Sequence, residues 1–424
     1  MAKPNEKRRD RIQNALILLL SLSALFLFYI TQFGSLPQSL SLPTLLKSHT
    51  DSVTVSGEST FLQEMDWPVT VLTASGGARA CVRLSTDDSR FTAAESFLED
   101  TLRDAGEWVG QTSSAFREAM DRDSVCIFLP CSVPFGILAA RLGLDEEEEM
   151  NVSRLLFAEE GGVVSLYISD GTDCVRIASS VRPASLSDWR ETLGGEPCTL
   201  ADEGGEATDG LDPLTLCPER NFSYPPLTAE TAETVGDYDL LLPLFGFNAR
   251  GGKRYTEAGG AEVIVEAPRR LRITPEGTVE YRGNREDAPD LFTFSENAEL
   301  PELAGGIFRL LQHLLGDARN GTSLYLSEVE QQEEDVCVFR FEAMAGGLPI
   351  AVNRAEDAAT VTVEKGTVTA LFLRYRTYAV SDGESLLLPF RQALAAAGGG
   401  DGRRMDLTYI DSGGETASLY WFMR

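Results

Sequence analysis

The chain predicts an α+β fold: one amino-terminal transmembrane helix, then two extracytoplasmic antiparallel-sheet domains with packed helices. Three observations predict it. Residues 12–33, IQNALILLLSLSALFLFYITQF, contain no Asp, Glu, Lys or Arg. Beyond residue 66, β-branched and aromatic runs alternate with glycine turns, the pattern of hairpins. Among them lie apolar residues at spacings of three and four, the pattern of amphipathic helices.

At the α-helical rise, the 22 residues of 12–33 extend roughly 33 Å, about the thickness of a hydrocarbon core. Residues 1–11 form a basic tail, with Lys3, Lys7, Arg8, Arg9 and Arg11 against Glu6 and Asp10. Short basic flanks stay cytoplasmic, so the tail is expected inside and the body outside. A cleaved signal peptide shares that basic start. Its apolar core, however, runs only about 7–15 residues and ends at a small-residue site that the exit GSLPQSLSLP lacks. The expectation is an uncleaved single-pass anchor in the cell membrane.

The anchor has a patterned face. Asn14, Ile17, Ser21, Ala24, Phe28 and Thr31 fall within one arc of about 100° on a helix. Small and polar residues let a second helix approach and hydrogen-bond, which makes this face the candidate partner-binding surface. The plainer alternative is that Ser and Thr bond back onto their own helix while Asn14 sits at headgroup depth.

The formal charge is −28; without the tail's five cations and two anions, 32 cations face 63 anions, a net of −31. So acidic a body has no long-range attraction for nucleic acid or an anionic lipid surface. The run DEEEE (145–149) reads as a solvated helix end or loop. The seven cysteines are Cys81, Cys126, Cys131, Cys174, Cys198, Cys217 and Cys337, too irregular for a disulfide framework. Most sit among apolar neighbours as small hydrophobes. Cys198 and Cys217 flank a polar loop and form the one pair to test for a bond.

Residues 34–65, rich in Ser, Leu, Pro and Thr, read as an extended stalk that includes His49. The first exterior domain spans 66–198. It opens with two strands about Gly76-Gly77, continues with a helical pattern from Phe91 to Met120 weakened at Gly106 and Gly110, and adds a buried strand at 124–130. A short helix and three strands turning at Gly161-Gly162 and Asp170-Gly171 complete it. Residues 199–228, polar and rich in Gly and Pro, read as a linker. The second domain, 229–424, starts with a helical stretch stopped near Gly246. It then runs through strands about Glu276-Gly277, a helix over 298–317 that includes His313, further strands, a closing helix with a glycine stop, and a last hairpin about Gly413-Gly414.

H-E-x-x-H, G-x-S-x-G and Walker loops do not occur. Two widely separated histidines do not supply an ordinary His-rich metal site. No catalytic residue, cofactor or metal ligand is therefore assigned. The basic loop Asn248–Arg254 either holds an anion or simply turns a charged hairpin. The N-x-S/T sites at Asn151, Asn221 and Asn320 matter only in a glycosylating pathway. A large exterior body tied to one patterned helix suits a protein whose output is contact. A cell-envelope enzyme and a ligand-binding or scaffold protein are the alternatives.

The basic tail, single helix and all-exterior α+β body resemble the YycH/YycI proteins. RYTEAGGAEVIVEAPRRLRITPEGTVEYRG (254–283) is similar to that family's strand–turn–strand with an aromatic after the glycine turn. FRFEAMAGGLPIAV (339–352) and ATVTVEKGTVTALFLRYRTY (359–378) resemble its Gly-x-Pro segment followed by strand, Lys/Asp-Gly and strand. Here the Gly-x-Pro is Gly347-Leu348-Pro349, with a doubled glycine before it. The local likeness covers about residues 239–424. The resemblance implies a non-enzymatic, membrane-anchored regulator of the WalK (YycG) sensor histidine kinase of Gram-positive bacteria, acting on cell-wall homeostasis through transmembrane and extracytoplasmic contacts. It implies that kinase and a second YycH/YycI-type protein as partners, with no cofactor, and a contact role for the face carrying Ser21 and Ala24.

Overall fold

Among the described residues, glycine-punctuated alternation builds an α+β fold dominated by antiparallel sheets, with one parallel pair between Leu348–Val352 and Met405–Asp411. A computed structural model describes residues 59–103, 107–144, 150–205, 208–220, 222–316, 321–333, 335–353, 357–398 and 402–424. All of these belong to one compact unit, Thr54–Arg424.

The first sheet begins with β1 (Pro68–Ser75) and β2 (Ala78–Ser85), paired about Gly76-Gly77. There follow α1 (Thr92–Arg103), β3 (Val109–Gln111), α2 (Ser113–Met120), β4 (Ser124–Pro134), α3 (Phe135–Arg141), β5 (Asn151–Glu160), β6 (Val163–Ser169), β7 (Cys174–Ala178), α4 (Pro183–Leu193), β8 (Glu196–Leu200) and β9 (Leu216–Pro218). The strand order is β3-β7-β6-β5-β4-β1-β2-β8-β9. Phe97 of α1 stacks on Trp189 of α4 at 5.4 Å, and Phe157 of β5 meets both rings edge-on. That cluster fixes both helices on the sheet, since edge-to-face pairs add about 0.5–1.5 kcal/mol each to simple burial.

The second sheet is larger. Its elements are β10 (Leu227–Thr231), α5 (Tyr238–Leu244), β11 (Lys253–Thr256), β12 (Glu262–Glu266), β13 (Arg269–Ile273), β14 (Thr278–Arg282), α6 (Leu300–Leu315), β15 (Ser323–Glu333), β16 (Val336–Ala345), β17 (Leu348–Val352), β18 (Ala359–Glu364), β19 (Thr367–Arg374), β20 (Arg376–Val380), α7 (Phe390–Ala397), β21 (Met405–Asp411) and β22 (Thr416–Met423). The order is β11-β12-β13-β14-β19-β18-β16-β17-β21-β22-β10-β20, with β15 on the free edge of β16. Register places Ile264, Leu271, Tyr281, Leu371, Val361 and Phe339 in one cross-strand row. All six are buried. One residue along, Arg270 and Arg282 face solvent, as the two-residue period of a strand requires.

Several expectations change. Residues 59–65 of the expected stalk are not extended: Ser59–Glu64 form a 3-10 turn against α3 and α6, burying Leu62 and Met65. The helical pattern of 91–120 is cut by a three-residue edge strand, β3. The stretch read as helical before Gly246 begins instead as β10, and only Tyr238–Leu244 is α-helical. Residues 199–228 carry the end of β8, all of β9 and the start of β10. Ala201, Leu211 and Cys217 from this stretch pack with Phe390, Leu394 and Met405, so the expected linker joins the two sheets through a shared core.

The most enclosed charge is Asp411 at the end of β21, which is 0% exposed. Its carboxylate accepts from Arg376 at 2.6 and 3.0 Å, from the Tyr378 hydroxyl at 2.8 Å and from the Gly413 amide at 2.8 Å. Removing one partner of such a pair strands the other in low dielectric. Asp411→Ala should therefore lower the unfolding free energy by about 3–5 kcal/mol in urea titrations, and the double change Asp411→Leu with Arg376→Met should recover part of it. At the β16–β17 turn, Gly347 has φ +75°, and a Cβ there would lie 3.1 Å from the Leu84–Ser85 backbone. Gly347→Ala should cost at least about 1–2 kcal/mol in the same measurement.

Candidate functional site

The two sheets meet along a seam that sequence-distant residues build together. β15 carries a bulge between Leu326 and Glu328, and the Leu326 carbonyl there accepts from the indole Nε1 of Trp67 at 3.1 Å and from the Cys131 thiol at 3.3 Å. Arg404 donates to the Leu129 carbonyl at 3.3 Å. Burial pushes the Cys131 thiol up to about 12, with Glu342 adding to the rise, so it stays a neutral donor.

At the mouth of this seam lies a polar groove of about 540 Å³, lined by Asp66, Arg83, Asp87, Asp88, Arg90 and the Gly346-Gly347 turn. Local hydrogen bonding shapes its first wall. Thr86 donates from its amide to the Trp67 carbonyl and from its hydroxyl to Asp66 Oδ1, at 3.0 and 3.1 Å. Asp88 receives the Arg90 amide at 2.9 Å and its guanidinium at 3.0 and 2.8 Å. The opposite wall is the start of β15 and the β16–β17 turn.

The two carboxylates titrate in opposite directions. Burial holds the Asp66 carboxyl above its ordinary 3.8, a rise that the Thr86 hydrogen bond opposes and Asp87 assists. The Arg90 side chain holds Asp88 below the same value. Asp66 and Asp88 therefore titrate apart, the first above and the second below the ordinary carboxylate value, within the lining of one groove.

A second surface is apolar. Val380 ends the edge strand β20, and Leu386 and Leu388 follow in the strap leading to α7; all three are exposed. Trp421 of β22 pins that strap by donating from its indole to the Leu388 carbonyl at 2.9 Å.

The candidate face Asn14, Ile17, Ser21, Ala24, Phe28 and Thr31 lies outside the described residues, as do His49, Asn221, Asn320 and DEEEE. No helix among the described residues is long and apolar enough to cross a membrane. Among the same residues, no cluster of three or more His, Cys, Asp or Glu is arranged to hold a metal ion. Asn151 is exposed at the start of β5. His313 is exposed on α6, its pKa lowered by partial burial and then by Arg309. At the basic loop 248–254, Glu266 accepts from the Asn248 backbone amide at 2.9 Å while its other oxygen pairs with Arg269 at 3.3 Å.

Cys198 and Cys217 are both free thiols. Thr199 pairs with Cys217 and Cys198 with Pro218, so the two cysteines point to opposite faces and cannot bond. Cys198 instead meets Cys81 across β2 and β8, and that contact, with burial, pushes the Cys198 thiol up.

Sequence spacing misses the groove because its walls, from residues 66–90 and 321–347, lie far apart in the sequence. Its only local mark is the cluster Asp87-Asp88-Ser89-Arg90 after β2.

A group whose folded pKa is raised contributes stability that is fully present below its unfolded value and is lost as pH rises through the folded value. Asp66→Asn keeps the acceptor for Thr86 and removes this loss. The variant should match the parent below about pH 3.8 and become the more stable of the two as pH climbs toward neutrality, read from melting temperatures across that range.

No family model, curated protein or solved structure matches the chain.

Proposed function

We propose that the protein is a non-enzymatic, membrane-anchored accessory protein that regulates a two-component sensor histidine kinase of cell-wall homeostasis through transmembrane and extracytoplasmic contacts. The observation that carries this reading is the uncharged stretch 12–33 behind a tail of five cations. Such a stretch makes one crossing and leaves the acidic body outside. The proposed partners are the kinase and a second YycH/YycI-type protein. Ser21 and Ala24 meet the kinase helix in the membrane, and the exposed Val380, Leu386 and Leu388 supply an apolar contact outside it.

The energy required is modest. A partner shifts a two-state kinase only by binding one state better than the other. A tenfold change in the equilibrium needs about 1.4 kcal/mol of differential binding. Two interhelical hydrogen bonds at about 0.6 kcal/mol each come close to that figure.

A second reading, a ligand-binding protein or cell-envelope enzyme, draws on the opposed titration of Asp66 and Asp88 in one groove. Affinity capture of the full chain from membranes separates the two. The kinase should be recovered with the parent protein and lost roughly tenfold with Ser21→Leu and Ala24→Leu together. Capture without any kinase while the helix is intact, or a turnover that disappears in Asp66→Asn, would overturn the contact reading.

A further inference from the structure

Strand β11 (Lys253–Thr256) ends the larger sheet. Among the described residues it pairs only with β12, and all four of its residues are exposed. Its outer N–H and C=O groups form an open ladder on which another strand can pair. The charge at this edge is opposite to that of the body as a whole. Residues 248–256, NARGGKRYT, hold Arg250, Lys253 and Arg254 and no carboxylate, in a chain of formal charge −28. Register sets Lys253, Val265, Arg270 and Arg282 in one cross-strand row, with the two arginines directly opposite each other. Like charges so placed repel.

The carboxylates of this hairpin are already engaged. Glu257 takes Arg270 and Arg272 at 2.9 Å each, Glu266 takes Arg269 at 3.3 Å, and Glu262 accepts from the Thr256 hydroxyl. Among the described residues, Arg250, Lys253 and Arg282 have no ion-pair partner. Charge of either sign guards an edge against unwanted pairing. A chain with 65 acidic and 37 basic residues has carboxylates to spare for that task, yet this edge carries cations alone. An apolar foothold lies alongside. The Arg254 guanidinium lies over the Tyr238 ring at 4.7 Å, and Tyr238, Val235, Ile273 and Pro275 line a groove of about 450 Å³. Tyr255, on the opposite face of the strand from Arg254, is 48% exposed.

We propose that the open edge of β11 accepts an added strand from an acidic peptide segment of a partner protein, with its carboxylates on Lys253 and Arg254. Side chains of an added strand alternate between the two faces of the sheet, so acidic residues meet Lys253 on one face and Arg254 on the other. An apolar residue beside Arg254 takes the Tyr238 groove. Backbone pairing supplies affinity and the cations select for acid. A phosphate-rich polymer would use the cations and leave the ladder open, which favours a peptide. This surface is separate from the membrane helix and its proposed kinase contact, so its test stands apart from theirs.

An end-capped peptide of alternating glutamate and valine is titrated into the full chain in nanodiscs of zwitterionic lipid. It should bind, and hydrogen exchange of the Lys253–Thr256 amides should slow on binding. Lys253→Glu with Arg254→Glu should weaken binding at least about tenfold, whereas Arg220→Glu at an exposed site elsewhere should leave it unchanged. A peptide of equal charge with proline in place of valine should bind far more weakly, because proline cannot donate to the ladder. Absence of binding, equal binding of the proline peptide, or unchanged exchange at β11 overturns the assignment. So does inorganic polyphosphate binding where the glutamate–valine peptide does not. Should the double variant fail to fold, hydrogen exchange on the parent chain decides: slowing at β11 supports the added strand, and no slowing there overturns it.

Discussion

The structure depends on matching buried polar groups along the seam between two sheets. Two apolar sheet faces could slide over each other with little penalty, because the hydrophobic effect is non-directional. This seam is different. The Leu326 carbonyl, next to the bulge in β15, accepts from both Trp67 and Cys131. Any slip of the sheets would leave those donors and the Arg404 contact unsatisfied at once. Gly347 tightens the same constraint, since backbone approaches backbone there with no room for a side chain. The two sheets are thus held in one relative position by directional bonds, and the groove at the seam's mouth inherits that rigidity.

Much of the fold was legible because its signals are local. Gly76-Gly77, Gly161-Gly162, Lys365-Gly366 and Gly413-Gly414 each sit between alternating runs, and each closes a hairpin. β3 was not legible: Val109–Gln111 holds one apolar residue, and β7 alone pairs with it. Residues 199–228 misled for a related reason. Their Gly, Asp and Pro mark real turns, but those turns present Leu211, Leu214 and Leu216 to two cores. The groove and the seam were invisible because Trp67 and Leu326 are 259 residues apart, beyond the reach of any periodicity.

Cation chemistry explains how so acidic a chain builds a polar interior. Of its 37 basic residues, only Lys3, Lys7, Lys47, Lys253 and Lys365 are lysine; the rest are arginine. A guanidinium is planar, weakly hydrated and always charged, so it can be buried against aromatic faces and carboxylates at smaller desolvation cost than an ammonium. The chain uses it that way repeatedly. Arg376 closes on Asp411, Arg141 lies over Trp67 while donating to the Met65 carbonyl, and Arg83 lies between Phe222 and Trp421. Other arginines, such as Arg103, Arg122 and Arg270, stay at the surface and pair with carboxylates there.

That division bears on how contact could carry a signal. A body whose sheets are locked by directional bonds moves as one piece. A force or displacement applied at its surface is then passed on to whatever the chain touches next instead of being absorbed by loose packing. Exposed apolar residues at one edge, Val380, Leu386 and Leu388, sit on elements tied to the core by Trp421 and by the buried Asp411 pair. A partner bound there would feel a rigid lever. For the contact role proposed above, the energy needed to bias a two-state neighbour is small beside the several kcal/mol that hold such a body in shape, so a partner bound at this edge would leave that shape intact.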